Sequence, residues 1–445
     1  MRMKIALISL QFEETATGGG GVHVKSICDQ FLKCGEDVTV ISIHTNKTLN
    51  RRPSNKFEDV LYSVEKKGSL RIIRFLIDED IDQPYVGSKD TELARILRFS
   101  DVVLKWLELS GETFDIINLH GHHIIPGYMA MELKKTGSKV VSTIHALETT
   151  YVMEKGEFVG AYEGTKEVLK EIREWEAMCR YADHVVVNSP IVRDEFEKII
   201  EETGEDSAVY NEKIVLISSG CNEDFLMTDE EIKRKLEDTP ETVNLITFCR
   251  VDPSKGIEFS INGAKEAARM SEKKFCLTIA GIPASEEYIS QLKKEAKDVP
   301  DNLEIKFDLL QAISPDEEKK HILDDKHIYI LPTLKEPFGM SIIEASARGN
   351  MIVSADTNGP RFMFEIEKGL SKDWGIVTSY GVLARITDNY TETLPKNIAE
   401  AIIWTINNRQ DGILRVVLFN DKIRQKWTWK GIAGQYLELF AVDTN

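Results

Sequence analysis

The feature that most constrains this chain is the alternation of short apolar segments with amphipathic ones. The apolar segments, several of them rich in Val and Ile, predict strands at 3–10, 37–43, 113–119, 139–144, 184–188, 213–218, 243–249, 275–280, 303–307, 327–331 and 351–354. The amphipathic segments predict helices at 22–33, 164–181, 190–202, 256–270, 285–297, 341–348 and 396–408. Continuously apolar strands that alternate with helices are typical of a doubly wound α/β protein with parallel sheets.

The number of predicted strands indicates more than one domain. A chain of 445 residues with this many strands is better divided into two sheets with two cores than built around one. The acidic, polar segment 222–241 follows one predicted strand and precedes another. We therefore predict an N-terminal Rossmann-like domain over 1–225 and a second Rossmann-like domain over 240–424.

Composition narrows the classes of partner. The chain has 73 acidic and 56 basic residues, a net charge of −17, which argues against a nucleic-acid partner or an anionic membrane surface. No apolar run has the length of a membrane helix, so stable membrane insertion is not expected. The six scattered cysteines contain no CxxC pair and are typical of reduced thiols in the cytoplasm.

A run of glycines follows the first predicted strand. Gly18, Gly19, Gly20 and Gly21 precede a helix, where backbone can approach a ligand and a helix N-terminus attracts anions. The run matches neither the dinucleotide fingerprint nor the P-loop. A binding loop and a merely flexible loop are equally compatible with it.

Two cations follow a strand of the second domain. Arg250 and Lys255 lie in a loop that leads into a helix, an arrangement that suits a diphosphate. Taken alone, this motif is better explained as a solvated surface pair.

The segment 331–350 is the most specific one. Glu336 and Glu344 are separated by seven residues, and Ser341 is expected to be the N-cap of a helix with Glu344 completing a capping box. That box leaves unexplained the carboxylate of Glu336, which lies in a Pro/Gly turn after a buried strand. Such a carboxylate can accept hydrogen bonds from sugar hydroxyls, and backbone N–H groups nearby can hold phosphate oxygens.

Histidines follow two strands of the first domain. His145 ends one strand, and His120, His122 and His123 follow another. A satisfied core histidine is the alternative for His145. The HxH pair lacks a carboxylate or cysteine nearby, so no metal site is predicted.

Taken together, these motifs resemble the retaining glycosyltransferases of family 4, which have the two-domain fold called GT-B. The resemblance rests on their order along most of the chain: the glycine run with His23, then STIH, VVNSP, SSGCNEDF, CRVDPSKG, EPFGMSIIEA and WTWKGIAGQYLELF. The segments INLHGHHIIPGYMA and ADTNGP resemble the sucrose-phosphate synthase branch.

The resemblance implies roles for the matching residues. Arg250 and Lys255 would neutralise the diphosphate of a nucleotide sugar. Glu344 would bind the ribose and Glu336 the sugar ring, while His145 would lie beside the reacting carbon. Further donor contacts would come from a group of backbone positions, namely Gly18, Gly19, Gly20, Gly339, Met340 and Ser341.

The resemblance also implies a fold and a reaction. The last segment, 425–445, would be a helix that crosses back to the N-terminal domain, and the donor would bind in a cleft between the domains. We expect transfer of a hexosyl group from UDP-glucose or GDP-mannose to a small polar acceptor, such as a sugar phosphate or a phosphorylated glycerate, without a cofactor or metal. His120 and His122 would contact that acceptor.

Several alternatives stay open. A disaccharide phosphorylase, a nucleotide-sugar epimerase or a non-catalytic nucleotide-sugar-binding regulator would share this architecture. The segments 150–164 and 358–365 depart from the family pattern, and the chain does not indicate whether it forms a homo-oligomer.

Overall fold

A computed structural model describes residues 2–50, 53–85, 89–121, 124–147, 166–237, 241–311 and 315–442. The described residues form two compact units. Unit 1 contains the residues up to Ser218 together with those from Trp429 onward, and unit 2 contains Ser219–Thr428. Within the described ranges, no helix is both long enough and apolar enough to span a membrane.

The described residues of unit 1 form one nine-stranded sheet, with helices between many of its strands. Its described strands are β1 Lys4–Ile8, β2 Asp37–Ile43, β3 Asn55–Phe57, β4 Val60–Lys67, β5 Leu70–Leu76, β6 Ile116–Gly121, β7 Lys139–Ile144, β8 His184–Val187 and β9 Ile214–Leu216. They lie in the order β3-β4-β5-β2-β1-β6-β7-β8-β9. In this order, every pair of neighbours from β5 to β9 is parallel. Its first five helices are α1 Gly19–Lys33, α2 Lys89–Leu109, α3 Ile124–Leu133, α4 Lys166–Met178 and α5 Pro190–Glu202.

Unit 2 repeats this plan. Its described strands are β10 Thr242–Phe248, β11 Lys274–Gly281, β12 Leu303–Leu309, β13 Ile328–Leu331, β14 Met351–Ala355, β15 Leu370–Lys372, β16 Gly375–Val377 and β17 Val382–Ala384, in the order β12-β11-β10-β13-β14-β17-β16-β15. All pairs from β12 to β17 are parallel, and β16 and β15 add an antiparallel edge. Its helices are α6 Asp229–Glu237, α7 Ile257–Arg269, α8 Glu286–Glu295, α9 Asp316–Asp324, α10 Met340–Ala347, α11 Asn358–Phe364, α12 Tyr390–Asn407 and α13 Arg409–Lys426.

The last helix, α14 (Trp429–Ala441), belongs to unit 1 although it follows all of unit 2 in the chain. Phe440 packs on Phe31 of α1 with ring centroids 5.7 Å apart. The Nζ of Lys139, at the start of β7, donates to the carbonyl oxygen of Leu439 at 2.8 Å and also to that of Val442. An ammonium group at these carbonyls fixes the C-terminal end of α14 to the sheet.

Register aligns the carboxyl ends of the central strands of unit 1. Ile8, the last residue of β1, is paired with Ile41 of β2 and with Leu119 of β6. In β6 and β7, His120 is paired with Thr143. Because parallel strands end at the same edge of a sheet, the loops that follow β1, β6 and β7 meet there.

The predicted strands are all present, with ends shifted by a few residues at most. The strands that the sequence did not predict, β3 to β5 and β15 to β17, include the antiparallel edges of the two sheets. In β4 buried and exposed residues are mixed, as is common in an antiparallel strand with one face open to solvent. This pattern lacks the continuous apolar run that marks the central strands.

Candidate active site

The loop after β10 carries the two predicted cations of unit 2. Arg250 is nearly half exposed, and its Nη2 lies 3.6 Å from Oδ2 of Asp252. Oδ1 of Asp252 accepts the N–H of Ser254 at 2.9 Å and so caps the short turn that contains Lys255. Burial disfavours the ionised form of Asp252, but Arg250 and the hydrogen bonds from Ser254 outweigh it and lower the pKa of this carboxyl.

Lys255 and Glu336 form an ion pair in which both side chains are mostly buried. The Nζ of Lys255 lies 2.7 Å from Oε2 of Glu336, with 17% and 11% of the two side chains exposed. Thr333 joins the two loops, because its hydroxyl donates to the carbonyl oxygen of Ser254 at 3.0 Å. Two predicted site residues that are 81 positions apart in the chain are thereby brought together.

The turn from β13 to α10 requires a glycine at one position. Gly339 has φ of +107°, a left-handed conformation that L side chains rarely adopt, and it is the residue from which α10 starts. A Cβ on Gly339 would lie 3.5 Å from Cγ of Glu336. The N-terminus of α10, with Met340 and Ser341 in its first turn, therefore lies close to the Lys255–Glu336 pair.

The predicted capping box is wrong. Gly339, not Ser341, is the N-cap of α10, and the helix already begins at Met340. Glu344 lies too far along the helix to return to the N-cap. Its Oε1 instead accepts a hydrogen bond from Nζ of Lys319 in α9 at 2.5 Å.

The segment 358–365 is tied to the loop that carries Glu336. The N–H of Gly359 donates to the carbonyl oxygen of Glu336 at 2.8 Å. A Cβ on Gly359 would lie 2.1 Å from the carbonyl oxygen of Phe338, so this close approach needs glycine. Arg361, one of the departures from the family pattern, pairs through Nε with Oδ1 of Asp356 at 2.9 Å.

In unit 1, three histidines come together where β1, β6 and β7 end. The rings of His23 and His145 have centroids 4.8 Å apart, and Nδ1 of His120 lies 3.3 Å from Nε2 of His145. His23 and His120 are fully buried and His145 partly. The described residues contain no group of three or more His, Cys, Asp and Glu side chains arranged to hold a metal ion.

Burial keeps this histidine cluster uncharged. It lowers the pKa of His145 to about 4. Burial likewise holds the pKa of His120 and of His23 well below the usual value, and His145 lowers both further because like charges repel.

Neighbouring elements fix the orientation of the cluster. The hydroxyl of Tyr436, in α14, lies 3.2 Å from Nε2 of His23. Nδ2 of Asn188 donates to the carbonyl oxygen of His145 at 2.6 Å. The glycine run also reaches the cluster, since a Cβ on Gly20 would lie 3.5 Å from the His145 ring.

The start of α1 places the predicted glycines. Gly18 is the N-cap of α1 and has no side chain to satisfy the first N–H groups, while Gly19 and Gly20 form the first turn. His122, the second predicted acceptor residue, and the segment 150–164 lie outside the described residues.

Sequence reasoning missed two members of these sites. His23 was noted only as part of a motif, and its place beside His145 depends on the pairing of β1 with β6. Lys319 lies in a charge-rich segment, DEEKKHILD, where nothing in the pattern distinguishes it from Lys320.

Solved structures share this fold. A sucrose-phosphate synthase from Thermosynechococcus elongatus has a TM-score of 0.71 at 18% identity, covering 99% of this chain and 98% of its own. The HepE protein of Anabaena, in complex with UDP-glucose, has a TM-score of 0.61 at 13% identity and covers 99% of this chain and 100% of its own. The two doubly wound units and these likenesses define a GT-B fold.

Family models and curated relatives give the same class. The model of Glycosyltransferase Family 4 matches residues 17–224, and that of Glycosyl transferases group 1 matches residues 228–373. A D-inositol 3-phosphate glycosyltransferase of Corynebacterium diphtheriae is 24% identical across 84% of this chain and 83% of its own length. A probable sucrose-phosphate synthase of Thermosipho melanesiensis is 26% identical across 95% of this chain and 90% of its own.

The chain belongs to family 4 of the glycosyltransferases. The fold class and the enzyme class expected from the sequence are thereby confirmed. The individual site residues stay predictions.

Proposed function

We propose that this enzyme transfers a hexosyl group from a nucleotide sugar to a small phosphorylated acceptor, with retention of configuration at the transferred carbon. The observation that carries the proposal is the buried Lys255–Glu336 pair beside the N-terminus of α10 in unit 2. A cation, a helix N-terminus and a carboxylate at one place suit a ligand that combines a diphosphate with sugar hydroxyls.

The donor is proposed to be UDP-glucose or GDP-mannose. A protein of the same fold binds UDP-glucose, which supports the first of these. Arg250 and Lys255 would contact the diphosphate, and the backbone N–H groups of Met340 and Ser341 would hold its distal phosphate. Glu336 would accept hydrogen bonds from hydroxyls of the transferred sugar.

The acceptor is proposed to carry a phosphate. Two relatives are named for inositol 3-phosphate and sucrose phosphate. We assign the acceptor to unit 1, where His145 offers a neutral hydrogen-bonding partner, and keep Gly18, Gly19 and Gly20 at the start of α1 as proposed donor contacts. His120 is fully buried, so its predicted contact with the acceptor would require the ring to become accessible.

In the proposed step, the bond from the sugar carbon to the phosphate oxygen breaks and a bond to the acceptor hydroxyl oxygen forms on the same face. The hydroxyl proton moves to the departing phosphate oxygen. Negative charge that develops on the diphosphate is stabilised by Lys255, Arg250 and the N-terminus of α10. The step uses no cofactor.

A cytoplasmic location is proposed with this function. It is supported by the cysteines, all six of which are free thiols. Reduced thiols are typical of the cytoplasm.

Transfer assays test the proposal directly. The protein is incubated with labelled UDP-glucose or GDP-mannose and a panel of sugar phosphates, inositol phosphate and phosphoglycerate. Acceptor-dependent release of nucleoside diphosphate, with label in a new glycoside, is the expected result.

Three other outcomes would contradict it. Phosphate-dependent cleavage of a disaccharide would indicate a phosphorylase. Conversion of the donor sugar without an acceptor would indicate an epimerase, and binding without turnover across the panel would indicate a regulator.

A further inference from the structure

A buried lysine that the sequence did not single out lies against a proposed donor-binding residue. Lys319 is in α9, and only 7% of its side chain is exposed. Its Nζ lies 2.5 Å from Oε1 of Glu344, whose side chain is 14% exposed. The pair joins α9 to α10 inside unit 2.

The surrounding groups keep this lysine charged. Burial by itself favours the neutral amine, but the carboxylates of Glu344 and Asp316 outweigh it and raise the pKa of Lys319 above its usual value. Oδ1 of Asp316 lies 3.9 Å from Nζ, and Oδ2 of Asp316 accepts a hydrogen bond from Nδ2 of Asn222 at 2.6 Å. The ammonium group is thus held between two carboxylates, the second of which is itself fixed.

This arrangement restricts the carboxylate of Glu344. An ionised carboxylate offers about four lone-pair directions on two oxygens, and a charge-assisted bond to one oxygen fixes the plane of the group. Among the described residues, Lys319 is the side chain within ion-pair distance of Glu344. Oε2 is thereby oriented and can accept hydrogen bonds from a ligand.

We propose that Lys319 is a positioning residue of the donor site, which holds Glu344 in the orientation that recognises the two hydroxyls of a ribose. The inference rests on the proposed function, in which Glu344 binds the ribose of a nucleotide. Lys319 acts through Glu344 and does not touch the nucleotide. A donor site built in this way selects ribonucleotides over 2′-deoxyribonucleotides, because a carboxylate in a fixed orientation loses a hydrogen bond when one hydroxyl is missing.

The test compares two neighbouring lysines. Lys319→Met removes the ammonium group, while Lys320→Met removes one that pairs at 2.7 Å with the exposed Glu317. Calorimetric titration measures the Kd of UDP, GDP and their 2′-deoxy forms for each protein. In the wild type we expect the ribonucleotide to bind about tenfold more tightly than its deoxy form, as one lost charge-assisted hydrogen bond implies.

Lys319→Met should abolish this preference, because the Kd of the ribonucleotide should rise about tenfold while that of the deoxy form should change little. Lys320→Met should retain the wild-type preference. An unchanged preference in Lys319→Met, or no preference in the wild type, would overturn the inference while nucleotide binding itself would still support the donor site. A wild-type protein that binds none of these nucleotides would instead overturn the proposed function as well.

A second variant keeps the test valid if Lys319→Met does not fold. Lys319→Met combined with Glu344→Gln leaves no unpaired charge at position 344, and Asp316 keeps its hydrogen bond from Asn222. If Lys319 acts through Glu344, the double variant should bind UDP as weakly as Glu344→Gln alone. Additive losses would show that Lys319 acts independently of Glu344 and would overturn the inference.

Discussion

The two units place chemically different clusters after the carboxyl ends of their parallel strands. In unit 2, the side chains are charged and arranged in ion pairs, Lys255 with Glu336 and Lys319 with Glu344. In unit 1, the corresponding cluster is a set of histidines that burial keeps neutral.

Under the proposed function, this difference suits the two units to two different ligands. Fixed cations next to carboxylates suit a ligand on which charge develops during the reaction, since they stabilise that charge without rearranging. Neutral imidazoles suit uncharged hydroxyl groups, which need hydrogen-bonding partners but no counter-charge. The comparison therefore predicts that removal of a charged side chain lowers the activity most when that side chain lies in unit 2. It also predicts that protonation lowers the stability chiefly through the histidines of unit 1.

The largest effect on activity is expected from removing a cation of the ionic cluster, the ion pairs Lys255–Glu336 and Lys319–Glu344 of unit 2. Lys255→Ala should lower kcat by roughly 100-fold or more, because the departing diphosphate loses a preorganised cation. Donor-dependent release of nucleoside diphosphate measures the effect. Lys233→Ala, which removes an exposed lysine of α6, should leave kcat unchanged. Wild-type turnover in a folded Lys255→Ala protein would contradict the role given to the ionic cluster.

Acidification should lower the stability of the protein through the histidine cluster of unit 1. The pKa of His145 is lowered to about 4, so between that value and the usual one near 6.5 the unfolded chain binds more protons than the folded chain. Stability is therefore lost as the pH falls through this range, by roughly 2 kcal/mol for such a histidine between pH 7 and pH 5.

Urea unfolding at the two pH values measures this loss. His120→Asn removes one of the buried imidazoles and should lose less stability on acidification than the wild type. An identical loss in the variant and the wild type would show that these histidines do not stay neutral in the folded protein.

A smaller effect on stability is expected from the contact between Lys139 and the C-terminal end of α14. Lys139→Met should lower the free energy of unfolding by about 1–2 kcal/mol, because the last carbonyls of the helix lose their ammonium partner. Lys135→Met, which breaks an exposed pair with Glu132, should cost less than about 0.5 kcal/mol. Equal effects in thermal unfolding would mean that the contact of Lys139 with α14 contributes nothing to the packing over His23.

The strands that could be predicted from the sequence are those whose burial produces a continuous apolar segment. Strands covered on both faces, such as β1 and β13, appear as continuous apolar runs. Strands β3 to β5, of which β3 is the edge of the sheet, and the helix α2 lie in a polar region that gives no such run. In the acidic run at 78–82 of this region, Oδ2 of Asp78 pairs with Nε of the buried Arg95 at 2.6 Å, a contact that the local sequence does not indicate.

The candidate site was predictable only in part. Motif order identified Lys255, Glu336 and His145, because each follows a strand. The partners of these residues were not predictable, since Lys319 reaches Glu344 from another helix and Tyr436 reaches His23 across 413 positions of sequence. Pairings of this kind depend on how elements pack, which local spacing does not encode.

The assignment of α14 to unit 1 has a consequence for biosynthesis. A ribosome completes every strand of unit 1 and then all of unit 2 before it makes the helix that carries Trp429 and Tyr436. Until that helix is released, the nascent unit 1 exposes the apolar surface around Phe31 that α14 later covers. In the described residues unit 2 is contiguous and can fold once it has left the ribosome, so the half of the protein that is translated first is the half that is completed last.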